Sequence, residues 1–192
     1  MTLPAPLADV DSALRVHFGG PALRASISFV GVEQLEILRF EPIPDERAYL
    51  SLGMSRQPMT AADQPVRSAD GQRAELMLHI RDGADLHVDV WRQVAVLAAA
   101  PSVEGVVYTA GMTVDLGRPL DAGSRCSGVV VIEGPIAAVG SELGPVQILQ
   151  ILPARAAELA WCRVHGSAAL RERWTEQNVD LLDLARDAVR LD

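Results

Sequence analysis

The sequence predicts an α+β fold: one domain, spanning residues 1–192, with a mixed β-sheet packed by helices. Three observations predict it. The chain has 192 residues with no linker and no internal repeat, the size of one ordinary domain. Strand-like segments fill its middle without strict βαβ alternation, and helical periodicity appears at the start, at one interior stretch and at the end. With 49% hydrophobic and 22% charged residues, the chain can fill a sizeable core, which excludes intrinsic disorder.

Val10, Leu14 and Phe18 are spaced by four, which predicts an opening helix over Val10–Phe18, stopped by Gly19-Gly20-Pro21. Ser26–Val30, Leu35–Phe40 and Tyr49–Leu52 are short, apolar and bounded by turn residues, so they read as strands. Residues 56–73 have loop composition and are the expected mobile segment. Ala74–Ile80 is a compact apolar run, a strand buried on much of both faces that ends at Arg81-Asp82-Gly83. His87–Ala100 places Val90, Trp91, Val94, Leu97 and Ala98 at helical spacing, with Pro101 closing the helix.

Val106–Tyr108 and Met112–Leu116 are predicted as short strands, and Val129–Ile132 and Val146–Leu152 as stronger ones. Two helices follow, Ala154–Val164 and Ala168–Trp174, split by Gly166 as a helix end and Ser167 as a new N-cap. Val179–Val189 is a third helical stretch.

The net charge of −8 argues against broad attachment to nucleic acid or to an anionic membrane, both of which need a basic face. All 17 basic residues are Arg. Without Lys there is no Walker A loop, kinase phosphate lysine, Schiff base, pyridoxal site or Ser-Lys dyad. Cys126 and Cys162 form no zinc pattern and are expected to be reduced core residues. The N-terminus lacks a signal-peptide pattern and no apolar run is long enough to span a bilayer, so a cytoplasmic location is expected.

Chemistry finds few footholds. Ser55 in Gly53-Met-Ser-Arg-Gln57 is a near miss for the Gly-x-Ser-x-Gly elbow of serine hydrolases: the second Gly is absent, and Pro58 would disturb the helix that should follow. A turn-forming serine is the expectation. The four histidines, His17, His79, His87 and His165, are scattered, with no HxxxH pair to hold a metal. Asp82, Asp85 and Asp89 lack calcium-loop spacing and suit a solvated turn before a helix. No glycine run reproduces GxGxxG, so neither a dinucleotide nor any other cofactor is expected. Trp91, Trp161 and Trp174 lie in helical patterns and read as packing residues. Tyr49, opening its strand just before the Gly53-x-Ser55 turn, is a candidate rim residue for a partner, with a core position as the alternative. Gly53 suits a backbone position at positive φ.

Several segments together resemble the Suppressor of fused family. Tyr49-Leu-Ser-Leu-Gly-Met-Ser55 is similar to its Tyr-x-Ser/Thr-x-Gly-x-Ser strand and turn, and Ala74-Glu-Leu-Met-Leu-His-Ile-Arg81 to its Glu-Leu-x-x-x-Leu strand. Met112–Asp121 and Cys126–Pro135 resemble the Pro-Leu segment and the strand after it. Val146–Leu152, Ala157-Glu-Leu159, the Gly166 break and Asp183-Leu-Ala-Arg186 follow in the same order. The likeness covers about residues 45–190. It departs where Trp91 precedes Arg92 instead of a proline, and it reaches only the family's N-terminal domain, so a Hedgehog-type role that needs the second domain is not implied.

The resemblance implies a non-enzymatic protein-binding domain. Bacterial members of this kind are thought to be immunity proteins that neutralise toxins, and the Arg-only basic set fits such a source. It implies steric occlusion of a protein partner, for instance a basic toxin domain, at a sheet edge or at the rim near Tyr49, Gly53 and Ser55. Asp183 and Arg186 would hold a loop or meet the partner, the plainer alternative for each being a helix-surface ion-pair residue. Two rival readings are a regulatory or structural subunit of another complex and a hydrolase centred on Ser55.

Overall fold

A computed structural model describes residues 7–21, 23–64, 70–81 and 89–192. Asp82, Gly83, Asp85, His87 and residues 65–69 of the expected mobile loop lie outside the described residues. Among the described residues the chain runs α1 (Leu7–Phe18), β1 (Leu23–Ile27), β2 (Leu35–Phe40), β3 (Glu46–Leu52), a 3₁₀ turn (Met54–Arg56), β4 (Arg73–Arg81), α2 (Val90–Glu104), β5 (Thr113–Asp115), β6 (Gly128–Glu133), β7 (Val146–Ala154), α3 (Ala156–His165) and α4 (Ser167–Glu176). The seven strands form one sheet in the order β1-β2-β3-β4-β7-β6-β5. Only the β4–β7 pair is parallel, so the sheet is mixed as expected.

Alternation along the strands assigns the two faces. Leu35, Ile37, Leu76, Leu78, Val129, Val131, Leu149 and Ile151 point to the side covered by α2 through Val94 and Leu97. Leu38, Phe40, Leu50, Met77 and Ile148 point the other way, under Leu7, Val10 and Leu14 of α1. Further along that second face, Val130 and Leu152 meet α3 and α4 through Leu159, Cys162, Leu170 and Trp174. Cys126 and Cys162 are free and buried, and burial pushes the Cys126 thiol up to about 11.

Six expectations are corrected. β1 starts and ends about three residues earlier than Ser26–Val30, because Leu23↔Arg39 through Ile27↔Leu35 fixes its register and leaves Phe29 and Val30 to the hairpin turn, closed by Val32 N–H to the Phe29 carbonyl (3.1 Å). Tyr49 does not open its strand: Glu46–Ala48 already pair with Arg81–His79 on β4.

Pro101 does not end α2, which continues to a left-handed Gly105 at φ 67°. The proline leaves the Leu97 carbonyl without its i+4 donor, and the Tyr108 hydroxyl supplies one at 2.8 Å. Val106–Tyr108 accordingly forms no strand; the Tyr108 N–H turns to the Met59 sulfur (3.4 Å).

Ser167 is the first residue of α4 rather than its cap, the cap being Gly166. Val179–Val189 is not helical. Asn178 sits at φ 50°, and Asp180 and Asp183 accept the N–H groups of Leu182 (3.1 Å) and Ala185 (2.8 Å), a local competition that breaks helices. This tail is strapped to the body by Arg81 N–H to the Leu182 carbonyl and Arg125 N–H to the Leu184 carbonyl, both 2.8 Å.

Candidate functional site

The ladder between β3 and β4 runs to Leu50↔Met77. One residue further, the Ser51 hydroxyl takes over by accepting the Leu76 N–H at 2.9 Å. It donates in turn to Oε2 of Glu75 at 2.5 Å. The other carboxyl oxygen, Oε1, accepts three hydrogen bonds from the turn that follows β3: Gly53 N–H (2.8 Å), Ser55 N–H (3.0 Å) and the Ser55 hydroxyl (2.6 Å). Glu75, Ser51 and Ser55 are each 0% exposed. A buried carboxyl must find donors, and this one finds them by folding the chain around itself.

Gly53 makes that wrap possible. Its φ is 130°, and a Cβ there would lie 3.1 Å from Leu35 Cδ2 and 3.2 Å from the Gln34 carbonyl, so both conformation and space call for glycine. Arg73, at the start of β4, closes the turn from its far side by donating to the carbonyls of Ser55 (2.9 Å), Arg56 (2.7 Å) and Leu143 (3.1 Å). Burial lowers the Arg73 pKa from its ordinary value. Above the turn lies a shallow cleft lined by Gly31, Glu33, Leu35, Gly53, Arg56 and Ser102. Glu33 faces Arg56 (3.2 Å) and Gln57 (3.4 Å) across it.

Arg186 lies in a second buried cluster. Its guanidinium grips both oxygens of Glu158 on α3, at 2.7 and 2.6 Å, and donates to the Pro153 carbonyl at 3.1 Å. The Trp174 ring of α4 stands 5.6 Å away. Burial alone would lower the Arg186 pKa, but the hydrogen bonds and charge of Glu158 outweigh it and hold it above the ordinary value. Glu158 also accepts the Arg155 N–H at 2.8 Å, the reciprocal bond of a capping box.

The structure therefore brings Gly53 and Ser55 together on Glu75 and places Asp183 and Arg186 in the tail, a separate group. Tyr49 is 5% exposed and packs in the core beneath α2. Gly53 alone of the five lines the cleft. Neither residue is the helix-surface ion-pair residue that was the plainer alternative for each: Arg186 is paired with Glu158 in the interior, while half-buried Asp183 shapes the tail through Ala185. The Ser55 hydroxyl, sealed and donated to a carboxylate, lacks the exposure of a hydrolase elbow, and no histidine among the described residues bonds to it.

Glu75 and Glu158 stand in motifs that carry the resemblance, but neither was expected as a site residue. The available signal was a lone carboxylate inside an apolar run, Ala74–Ile80 in one case and Ala156–Cys162 in the other. Among the described residues, no cluster of three His, Cys, Asp or Glu side chains could hold a metal ion, and no helix is long and apolar enough to cross a membrane.

The model of the family described as Suppressor of fused protein (SUFU) matches residues 31–187. No curated protein is similar enough in sequence to count as a relative. The fold is similar to that of a protein described as a SUFU homolog from Neisseria gonorrhoeae FA 1090, with a TM-score of 0.70, 16% identity and coverage of 94% of each chain. It is also similar to a chain of the Sufu-Fu complex, with a TM-score of 0.62, 13% identity and coverage of 92% of this chain and 84% of that one. Drosophila Suppressor of Fused matches at a TM-score of 0.63 and 12% identity, over 95% of this chain and 50% of its own. At these identities the likeness to the solved structures is one of fold.

Proposed function

The chain belongs to the Suppressor of fused family, and on that premise we propose that it is a non-enzymatic protein-binding domain, an immunity protein of bacterial type that binds a toxin domain and occludes it. The observation that carries this reading is the Gly53–Ser55 turn: a serine that could have been a nucleophile is spent, hydroxyl and amide together, on holding the buried turn beneath the cleft to Glu75. Such a turn is a rigid platform, and rigid platforms lose little entropy when a partner docks. A fold of the same kind occurs in the Sufu-Fu complex, which supports a protein as the partner.

In this proposal the partner docks by the cleft that Gly53 lines or along the β1 edge of the sheet, by strand addition in the latter case. Tyr49 and Ser55 support that rim from beneath. Asp183 and Arg186 fix the tail against α3 and β7 instead of meeting the partner directly. The net charge of −8 would steer a basic toxin towards its blocker. No nucleic acid, membrane or cofactor enters, and a reducing cytoplasm suits the two free thiols.

The test is affinity capture of the tagged protein from its native cell lysate, washed at low and then high salt and read by mass spectrometry. One toxin-like protein retained in near-equal amount at low salt and released at high salt is the expected result. Recovery of the bait alone at low salt counts against it.

A further inference from the structure

The sheet has two edges, β1 and β5, and they differ. An open edge is a row of unpaired backbone groups that can take another strand. The β5 edge is guarded. It is three residues long and ends in Asp115, and α3 packs against it, with Arg163 reaching the Thr113 hydroxyl at 3.4 Å. The β1 edge has five residues, LRASI, with no proline, and its register runs unbroken from Leu23↔Arg39 to Ile27↔Leu35, so no bulge turns it away. Its one charged side chain, Arg24, is held by its own chain between Asp11 (2.5 Å) and Glu36 (2.6 Å).

The ladder decides which β1 groups face outwards. The Leu76 N–H points at β3, where the Ser51 hydroxyl accepts it. Antiparallel strands turn alternate residues to opposite neighbours, and the registers carry that alternation from β4 through β3 and β2 to β1. Leu23, Ala25 and Ile27 therefore bond towards β2, while Arg24 and Ser26 present their N–H and C=O groups to the open side. Side chains alternate as well. Leu23, Ala25 and Ile27 share the α2 face with Leu35 and Ile37, and Arg24 and Ser26 share the α1 face. On the α2 face Leu23 is 55% exposed.

These positions make the edge complementary to itself. Around a two-fold axis through the sheet at Ala25, Arg24 of each copy lies opposite Ser26 of the other, and each such pair exchanges both N–H to C=O bonds. Ala25 meets its equivalent at the closer, non-bonded spacing, which suits a small side chain. Leu23 meets Ile27 of the second copy on the α2 face, and Arg24 meets a neutral serine on the α1 face. A register centred on Arg24 would oppose two guanidiniums, and one centred on Ser26 would pair Arg24 with Ser28, beyond the β1 ladder. The charges at the seam balance, Arg15 and Arg24 against Asp11 and Glu36, so the net charge of −8 is carried elsewhere. We propose that β1 is a homodimer seam, which joins the sheets of two copies through antiparallel pairing centred on Ala25. The seam takes the β1 edge and leaves the cleft lined by Gly53 to a foreign partner.

Sedimentation velocity of the full chain from about 2 to about 500 µM, in 0.15 M salt to screen the net charge, tests the seam. Wild type is expected to pass from the 20.6 kDa monomer to a dimer with a dissociation constant on the order of tens of micromolar, weak because the seam is short. Ser26→Pro removes an N–H that faces outwards, so it spares the β1–β2 ladder and is expected to stay monomeric throughout. Ser26→Arg sets like charges opposite each other across the seam, yet lies beside Glu36 within its own chain, and is expected to weaken the dimer about tenfold. Circular dichroism melts close to wild type show that the fold is intact, and if Ser26→Pro melts early, Ser26→Arg carries the test. Wild type that stays monomeric at the top concentration, or a dimer that is as tight in either folded variant as in wild type, would overturn the proposal.

Discussion

Glu75 and Glu158 are both almost wholly buried, yet one is satisfied by the hydroxyls and amides of neighbouring strand and turn and the other by a guanidinium from the far end of the chain. The contrast shows two uses of a buried carboxyl. Glu75 sets the shape of a buried turn and acts on the backbone itself, so its influence reaches the cleft that Gly53 lines. Glu158 sets a connection: through Arg186 it ties the irregular tail to α3 and to the end of β7. Both clusters contain residues that the sequence picks out for partner binding, and in both those residues are held by a carboxylate that it does not pick out.

The largest expected effect comes from breaking the ion pair. Arg186→Ala leaves the Glu158 carboxyl, 1% exposed, without its guanidinium partner, and should cost about 3–5 kcal/mol in urea unfolding. The double variant E158L/R186M, which removes both charges and keeps apolar volume, should regain most of that loss. If the double is as unstable as the single, the pair stabilises by more than charge compensation and the contrast with Glu75 weakens.

Next comes Glu75→Leu, which leaves the Gly53 and Ser55 amides without their acceptor and should cost about 2–3 kcal/mol. Its sharper signature is local. Amide hydrogen exchange should accelerate at Gly53 and Ser55 more than in the tail, whereas R186A should do the reverse. Ser55→Ala removes only one of the three donors to Oε1 and should cost about 1 kcal/mol, with Gly53 still protected.

The smallest effect is silent at neutral pH. Burial raises the Cys126 thiol from 9.0 to about 11, against the lesser opposing charge of Arg186. Because the folded pKa lies above the unfolded one, this contribution to stability is complete below about pH 9 and is lost as pH rises through about 11. Urea midpoints measured across that window should fall for wild type and fall less for Cys126→Ala.

Sequence reasoning was strongest where burial follows a simple period. Leu35–Phe40 has the predicted ends, and Ala74–Ile80 is extended by one residue at each end, because alternating or continuous apolar runs leave a strand little freedom. It failed where a distant group supplies a missing bond. Nothing local to Pro101 tells that the Tyr108 hydroxyl will cap the Leu97 carbonyl. The tail failed for the opposite reason: Val179–Val189 has a helical apolar pattern, but Asp180 and Asp183 bond to their own backbone first. Gly53 was legible through its conformational demand, whereas the burial of Tyr49, Ser55 and Arg186 depends on β4, α3 and the tail meeting in three dimensions.

The central claim is that the Gly53–Ser55 turn is a platform held from below and not a reaction centre. Fluorophosphonate labelling of the native protein tests it most directly, read by intact-mass spectrometry on wild type and Ser55→Ala. The account predicts no adduct on either protein, since the Ser55 hydroxyl is buried and donated to Glu75. An adduct on wild type that disappears in Ser55→Ala would contradict it.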